Sequence, residues 1–156
     1  KIKNCNHSYF HVNSTKMVKN LPFSISGVII GIILFQSSAI APAINKLINV
    51  NDASDFLRFI WPIFFLIIAA LSLKSAIIIF TKNKAQKKGK FYAISSFILM
   101  MFCFFITPTI NDAKDLNNDE LWSILHLLTV VLTFITLILN ILNIYCQVQF
   151  ENPNIS

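Results

Sequence analysis

Four apolar stretches, each long enough to cross a membrane, dominate the sequence. A helix needs roughly 20 mostly apolar residues to span the hydrocarbon core of a bilayer, and four segments meet this requirement: 21–43, 56–80, 91–110 and 121–148. Charged residues make up only 13% of the chain, about half of what soluble domains carry. The sequence therefore predicts an all-α membrane protein, a four-transmembrane-helix bundle between polar tails at 1–20 and 149–156.

Basic residues are unevenly distributed around these spans. Most of them fall in the amino-terminal tail and in the second loop, whereas the first and third loops hold few. Because basic residues accumulate on the cytoplasmic side of a membrane, both termini are expected on that side, or on the equivalent side of an organelle. The net charge of +6 is thus assigned to lipid headgroups and not to nucleic acid. Headgroup contacts are expected from Lys82, Lys84, Lys87, Lys88 and Lys90.

The fourth span carries one continuous polar row. Its polar residues recur at steps of three or four, the spacing that places side chains on one face of a helix. Such a face avoids lipid only where it packs on other helices or lines a cavity. The row consists of Ser123, His126, Thr129, Thr133, Thr136, Asn140, Asn143 and Gln147.

Depth along the helices predicts which polar residues lie close together. At a rise of about 1.5 Å per residue, His126 lies near the outer ends of the spans, level with residues of the other three. The expected structural polar cluster there, the outer cluster, is His126, Thr129, Thr107, Gln36 and Trp61. An interhelical hydrogen bond is the favoured role for His126.

An inner polar cluster is expected near the opposite ends of the spans. Lys74 lies level with Asn140 and Asn143 by the same count. Its ammonium group either extends to the cytoplasmic headgroups or bonds to these asparagines. In the first span, Gly27 and Gly31 form a GxxxG motif, which predicts close packing of another helix.

No catalytic set is visible in the sequence. Neither a serine nor a cysteine nucleophile has an evident base, and no paired carboxylates fall inside a span. A copper(I) site from Met100, Cys103 and His126 has suitable soft ligands, but the depths of Met100 and His126 differ by about 7 Å at helical rise. The sequence therefore requires no cofactor, and haem or copper at His126 is a lesser alternative.

Short motifs in all four spans resemble one family of small membrane proteins. They are Ala-Pro-Ala-Ile at 41–44, Trp-Pro at 61–62 with Phe64 and Phe65 after it, Thr-Pro-Thr-Ile-Asn at 107–111, and Leu125-His126 with Thr129. The chain resembles the transmembrane-protein-two-hundred-and-five-like family, catalogued as domain of unknown function forty-one forty-nine. The resemblance implies a four-helix architecture without an established activity. That family's fourth helix typically reads His-x-x-Ser with Asn four residues later, where this chain has Thr129 and Thr133.

The short loops and the lack of a catalytic set favour a non-enzymatic accessory or scaffold subunit of a larger membrane complex. Its expected partners are membrane lipids and other membrane-protein subunits, in a bacterial inner membrane or an organellar inner membrane. A distant similarity to copper-resistance and haem-associated membrane families adds a cofactor- or lipid-binding protein as an alternative. A small proton-coupled transporter that uses His126 and Lys74 is the third hypothesis.

Overall fold

The structure consists of four helices wherever it is described. The computed structural model describes residues 20–82 and 86–151, so most of both predicted tails lies outside the described residues. Helix α1 covers 20–47 and contains a π-helical segment, Gln36–Ile40, before its last part, Ala41–Leu47. Helices α2, α3 and α4 cover Val50–Lys82, Lys87–Asp115 and Asp119–Glu151.

Each helix contains a segment that is long and apolar enough to cross a membrane. These segments are Asn20–Ile44, Asp52–Thr81, Lys87–Asp115 and Asp119–Gln149. They confirm the prediction of four helices of membrane-spanning length and are compatible with an integral membrane protein. The helices extend beyond the predicted spans because the apolar pattern marks only the part within hydrocarbon, whereas helical hydrogen bonding continues into the polar flanking turns.

Short connections reverse the chain between consecutive helices. Residues 48–49 join α1 to α2, and residues 116–118 join α3 to α4. In the second connection, Asn117 has a φ of 54°, a left-handed conformation in which asparagine is enriched. The side-chain oxygen of Asn118 accepts a hydrogen bond from the Leu121 amide at 3.1 Å, which caps α4. We call the end with these two connections the distal end, and the end with residues 20 and 151 the proximal end.

An apolar core fills the middle of the bundle. Three helices contribute to it through side chains that are almost completely removed from the surface. Methionine and cysteine of α3 contact isoleucines of α1 and aromatic residues of α2 there. The buried members are Ile25, Ile29, Ile33, Phe64, Phe65, Ile68, Ala69, Met100 and Cys103.

Helix α4 directs its polar row inward and its apolar side chains outward. Six members of the row are buried, namely Thr129, Thr133, Thr136, Asn140, Asn143 and Gln147, while His126 is half-buried and Ser123 is exposed. By contrast, Leu127 and Phe134 are 62% and 60% exposed. A soluble helix shows the reverse pattern. The arrangement suits a helix whose outer face meets lipid.

The glycines of α1 face outward. Gly27 and Gly31 are both exposed, and a Cβ atom built on either would meet nothing within 4 Å. Within the described residues, no other helix of this chain therefore packs against the GxxxG motif. Helix α1 places its isoleucines, and not its glycines, against the core, so close packing of a helix on the motif stays a prediction.

Removal of a core side chain on α3 should destabilise the bundle more than removal of a lipid-facing one. Met100 is 0% exposed and Ile98 is 57% exposed. Met100→Ala leaves a cavity, and we expect it to lower the free energy of unfolding by about 2 kcal/mol or more. Ile98→Ala is the control. Because lipid can refill the space that it leaves, it should change the free energy of unfolding by less than about 1 kcal/mol. Reversible unfolding in mixed micelles, followed by circular dichroism, measures both, and equal losses would contradict the assigned core.

Candidate functional site

A cavity of about 430 Å³ lies in the distal half of the bundle. Its wall is mostly apolar and comes from all four helices, with Ile33 of α1, Phe65 of α2, Ile110 of α3 and Leu137 of α4 among the lining residues. Sites for small molecules typically enclose roughly 300–1,000 Å³ and are lined in this way. The volume therefore suits one hydrocarbon chain, or a ring with a short tail.

Side chains of α1 and α4 that line the cavity are also partly exposed. Leu34 of α1 and Val130 and Phe134 of α4 line it, and each of these side chains is about half exposed or more. We call the feature the side cavity, after these half-exposed residues of its wall.

Irregular helix geometry occurs at the level of the side cavity. Pro62 lies inside α2 and Pro108 inside α3, and each removes a backbone N–H that a regular helix would use. In α1 the π-helical segment Gln36–Ile40 adds a residue to the turn. Such irregularities displace helices from regular close packing. They provide a local cause for a cavity in this half of the bundle.

His126 lies in the cavity wall, stacked on a second aromatic ring. The imidazole and the Trp122 indole are nearly parallel, with centroids 5.3 Å apart and an interplanar angle of 4°. Trp61 lines the cavity as well and stacks on Phe65 at 5.6 Å. The wall is therefore rich in rings, and it also offers imidazole and indole N–H groups as hydrogen-bond donors.

The threonine hydroxyls of the cavity donate to their own helices. Thr129 Oγ1 donates to the carbonyl of His126 at 2.8 Å, and Thr133 Oγ1 donates to the carbonyl of Thr129 at 2.8 Å. Thr107 Oγ1 donates to the carbonyl of Cys103 at the same distance. Each hydroxyl oxygen keeps lone pairs, so these threonines offer acceptors to an occupant.

Two cations border the side cavity, and both are paired. Arg58 of α2 forms an ion pair with Asp115 of α3. Lys114 Nζ lies 3.1 Å from Asp119 Oδ1 and 4.8 Å from the centroid of the Trp122 ring. These pairs cross the α2–α3 and α3–α4 interfaces. An occupant therefore meets neutralised charges at the distal end, not free cations.

The structure brings together four members of the predicted outer cluster. His126, Thr129, Thr107 and Trp61 all line the side cavity. Gln36 does not line it: its side chain is buried, and the amide Nε2 has no hydrogen-bond partner among the described residues. The next residue, Ser37, takes the lining position.

The predicted inner cluster is divided by the structure. Asn140 Nδ2 donates to Ser96 Oγ at 3.2 Å, and Asn143 Nδ2 donates to Ser26 Oγ at 2.9 Å. These bonds join α4 to α3 and to α1. Lys74 lies apart from them, because its side chain is on the exposed side of α2.

The lysines of the second loop lie at the proximal end where they are described. Lys87 and Lys88 are exposed, and Lys90 Nζ lies 4.9 Å from the centroid of the Phe80 ring. Lys84 and the side chain of Lys82 lie outside the described residues. Two of the five expected headgroup contacts are thus in solvent-accessible positions at the start of α3.

Several polar residues at buried positions were missed by sequence reasoning. Ser72 and Ser75 of α2 are each 1% exposed, and Gln86 is 4% exposed. The serines share a helix face at a spacing of three, which is a detectable signal. Gln86 gives no such signal, because it belongs to a lysine-rich loop in the sequence.

Ligands for a metal ion do not gather in the described part of the chain. Residues 20–82 and 86–151 contain no group of three His, Cys, Asp or Glu side chains that could hold one. Cys103 and Met100 are buried in the apolar core, whereas His126 lines the side cavity. The three donors considered for copper(I) thus belong to different environments.

The Arg58–Asp115 pair should make a small, salt-sensitive contribution to stability. Its side chains are 31% and 58% exposed, so solvent screens the attraction. In a double-mutant cycle with Arg58→Met and Asp115→Asn, we expect a coupling energy below about 1 kcal/mol that decreases at high salt. Thermal unfolding of the four proteins at two ionic strengths measures it. A large coupling that salt does not change would show instead that the pair is desolvated.

Comparison of the chain with protein-family models, curated proteins and solved structures finds no match. The side cavity and the buried polar groups are therefore the observations from which a function can be inferred.

Proposed function

We propose that the chain is an integral membrane protein that binds an amphiphilic molecule from the bilayer in the side cavity. One observation carries this proposal: a mostly apolar cavity of about 430 Å³ is lined by residues of all four helices, and its lining residues Leu34, Val130 and Phe134 of α1 and α4 are about half exposed or more. We infer that a molecule dissolved in the membrane enters between these residues without passing through water. Lipid or cofactor binding of this kind was an alternative from the sequence, and the geometry favours it.

The head of the occupant is uncharged and forms hydrogen bonds. His126 and Trp61 supply donors, and the threonine oxygens supply acceptors. Arg58 and Lys114 are already paired with carboxylates, so a charged head would gain little from them. A hydroxyl, ester or ring carbonyl satisfies these groups.

Brominated amphiphiles should quench the intrinsic fluorescence of the chain. It has two tryptophans, and both Trp61 and Trp122 line the side cavity. We expect saturable quenching by a monoacylglycerol with a brominated chain, at lower concentration than by the corresponding fatty acid, whose head is charged. Titration of the purified protein in mild detergent measures both. Quenching that never saturates, as expected for detergent-dissolved quencher alone, would contradict the proposal.

Two neighbouring residues of α4 provide a matched pair for this experiment. Val130 lines the side cavity and is 48% exposed, whereas Val131 is 45% exposed and is not among the lining residues. Val130→Phe should raise the half-saturating concentration roughly tenfold, which corresponds to about 1.4 kcal/mol. Val131→Phe should leave it unchanged. Equal effects of both variants would place the probe elsewhere on the protein.

The resemblance to the transmembrane-protein-two-hundred-and-five-like family is part of this proposal. Several residues that carry the resemblance line the side cavity, and they include Trp61, Thr107, Asn111, His126 and Thr129. Motif residues from three helices thus meet in one place. This supports a shared binding site as the reason for the pattern.

The orientation of the bundle in the membrane follows from the distribution of its basic residues. Exposed Lys87 and Lys88 lie at the proximal end, where basic residues meet the anionic headgroups of a cytoplasmic leaflet. Both termini then lie on the cytoplasmic side, or on the equivalent side of an organelle, in a bacterial or organellar inner membrane. The side cavity lies in the opposite half of the bilayer.

An accessory role in a larger membrane complex is the second candidate function. The outward-facing Gly27 and Gly31 favour it, since a GxxxG face that no described helix of this chain covers can admit a helix of another subunit. The two functions are compatible, because these exposed glycines lie outside the side cavity.

Larger side chains at the two glycines should weaken association with a partner subunit without disturbing the fold. A Cβ atom meets nothing at either position, so Gly27→Leu with Gly31→Leu should leave thermal stability the same or higher, given the poor helix propensity of glycine. Blue native electrophoresis of solubilised membranes should then show a smaller assembly than the wild type. Ala70→Leu, at another exposed position, is the control. A wild-type chain that already migrates as a monomer would remove this second candidate.

A further inference from the structure

The proximal half of the bundle contains a second polar site, separate from the side cavity. Eight buried side chains from all four helices and the α2–α3 connection form it, and none of them is charged. We call it the amide–serine site. Its members are Ser26, Ser72, Ser75, Gln86, Ser96, Asn140, Asn143 and Gln147, each less than 9% exposed.

Contacts between the helices place these residues within the proximal half of the bundle. The bonds from Asn140 to Ser96 and from Asn143 to Ser26 connect three helices. Ala76 and Ile79 of α2 pack with Ala93 of α3, which puts Ser72 and Ser75 near the depth of Ser96. Gln147 follows Asn143 by one helical turn on the same face.

Gly89 leaves the space in which two amides approach each other. A Cβ atom on this residue would stand 3.1 Å from Gln86 Cδ and 3.2 Å from Asn143 Oδ1. Both side chains therefore reach over the glycine from different parts of the chain. A larger residue would have to displace them.

Many polar atoms of the site find no partner among the described residues. They are Ser72 Oγ, Ser75 Oγ, both Nε2 and Oε1 of Gln86, Asn143 Oδ1 and Gln147 Nε2. A buried polar group without a hydrogen bond costs about 1–3 kcal/mol, and lipid around the bundle offers no partner. Six such atoms together would cost as much as a domain's whole stability of roughly 5–15 kcal/mol. The site therefore needs hydrogen bonds from outside the described part of the chain.

The chemistry of these atoms selects the ligand. Amide nitrogens donate, amide oxygens accept, and serine hydroxyls do both. None of the eight side chains is a carboxylate that could balance a cation or a base that could balance an anion. We propose that the amide–serine site binds a cluster of water molecules in the proximal half of the bundle. Buried water typically makes about three hydrogen bonds to otherwise unsatisfied groups.

An apolar layer separates this water site from the side cavity. One turn distal to the serines of α1, α2 and α3 lie Ile29, Ile68 and Met100, each 0% exposed. At the same level of α4, the Thr136 hydroxyl donates to the carbonyl of Leu132 at 2.9 Å and is not free to donate elsewhere. The three apolar side chains offer no hydrogen bond to water, so they provide an internal reference within the same protein.

Water-edited solid-state NMR of the full chain in hydrated bilayers tests the proposal. Magnetisation transferred from water should reach the side-chain amide protons of Asn143 and Gln147 severalfold faster than the methyl groups of Ile68 and Met100. Transfer to these amides as slow as transfer to the apolar layer would overturn the proposal.

A matched pair of variants shows whether the site itself holds the water. Gln86→Met removes two unpaired atoms while keeping a side chain of similar length, and it should slow the transfer to Asn143 severalfold. Gln149→Met, at an exposed position, should not. An unchanged transfer in Gln86→Met would overturn the proposal. If that variant does not fold, Ser75→Ala replaces it with the same expectation.

The proposals for the side cavity and for the water site can be tested independently of each other. Val130→Phe narrows the side cavity and should leave the water transfer to Asn143 unchanged. Conversely, Gln86→Met should not change fluorescence quenching by the brominated monoacylglycerol, because the apolar layer lies between the two sites.

Discussion

The structure depends on one constraint: polar side chains of α4 that would otherwise face lipid must be satisfied inside the bundle. Apolar residues gain little from packing against one another in a membrane, because lipid tails are equally apolar. Directional bonds therefore decide which helices meet and at which register. Asn140 to Ser96 and Asn143 to Ser26 fix α4 against α3 and α1, and this register determines which residues stand opposite His126 farther along the same helix.

The polar row serves two different environments along its length. In the distal half, threonine hydroxyls bond to their own helix, so this part needs no partner helix and can border a cavity. In the proximal half, amides reach across the bundle, and further donors and acceptors have no partner among the described residues. The fully buried Met100, Ile68 and Ile29 lie between the two halves. A row that looks uniform in sequence thus borders the proposed amphiphile site at one end and the proposed water site at the other.

Helix number, approximate span bounds and the buried side of α4 could be predicted, because apolar length and a periodicity of three to four residues determine them. Depth alone also brought His126, Thr129, Thr107 and Trp61 into one set. The direction in which individual side chains of α1 face was less predictable. Ser37 and not Gln36 lines the cavity, because Ser37 follows the lining residues Ile33 and Leu34 at helical spacing, and depth alone does not distinguish two neighbouring residues of one helix. For Gly27 and Gly31 the partner could not be predicted, because a GxxxG motif does not reveal which helix, of which chain, it meets.

Helix α1 links the two proposed functions. Its isoleucines at 25, 29 and 33 pack into the core, and Ser26 receives the bond from Asn143, so its proximal half is held by both packing and a directional bond. Its distal half borders the side cavity at Leu34 and Ser37 and includes the π-helical segment. The shape of this wall of the side cavity therefore depends on the distal half of α1. A partner helix on Gly27 and Gly31 would contact α1 from the outside of the bundle. If the partner helix and the bound amphiphile favour different positions of α1, binding of one would change the affinity for the other.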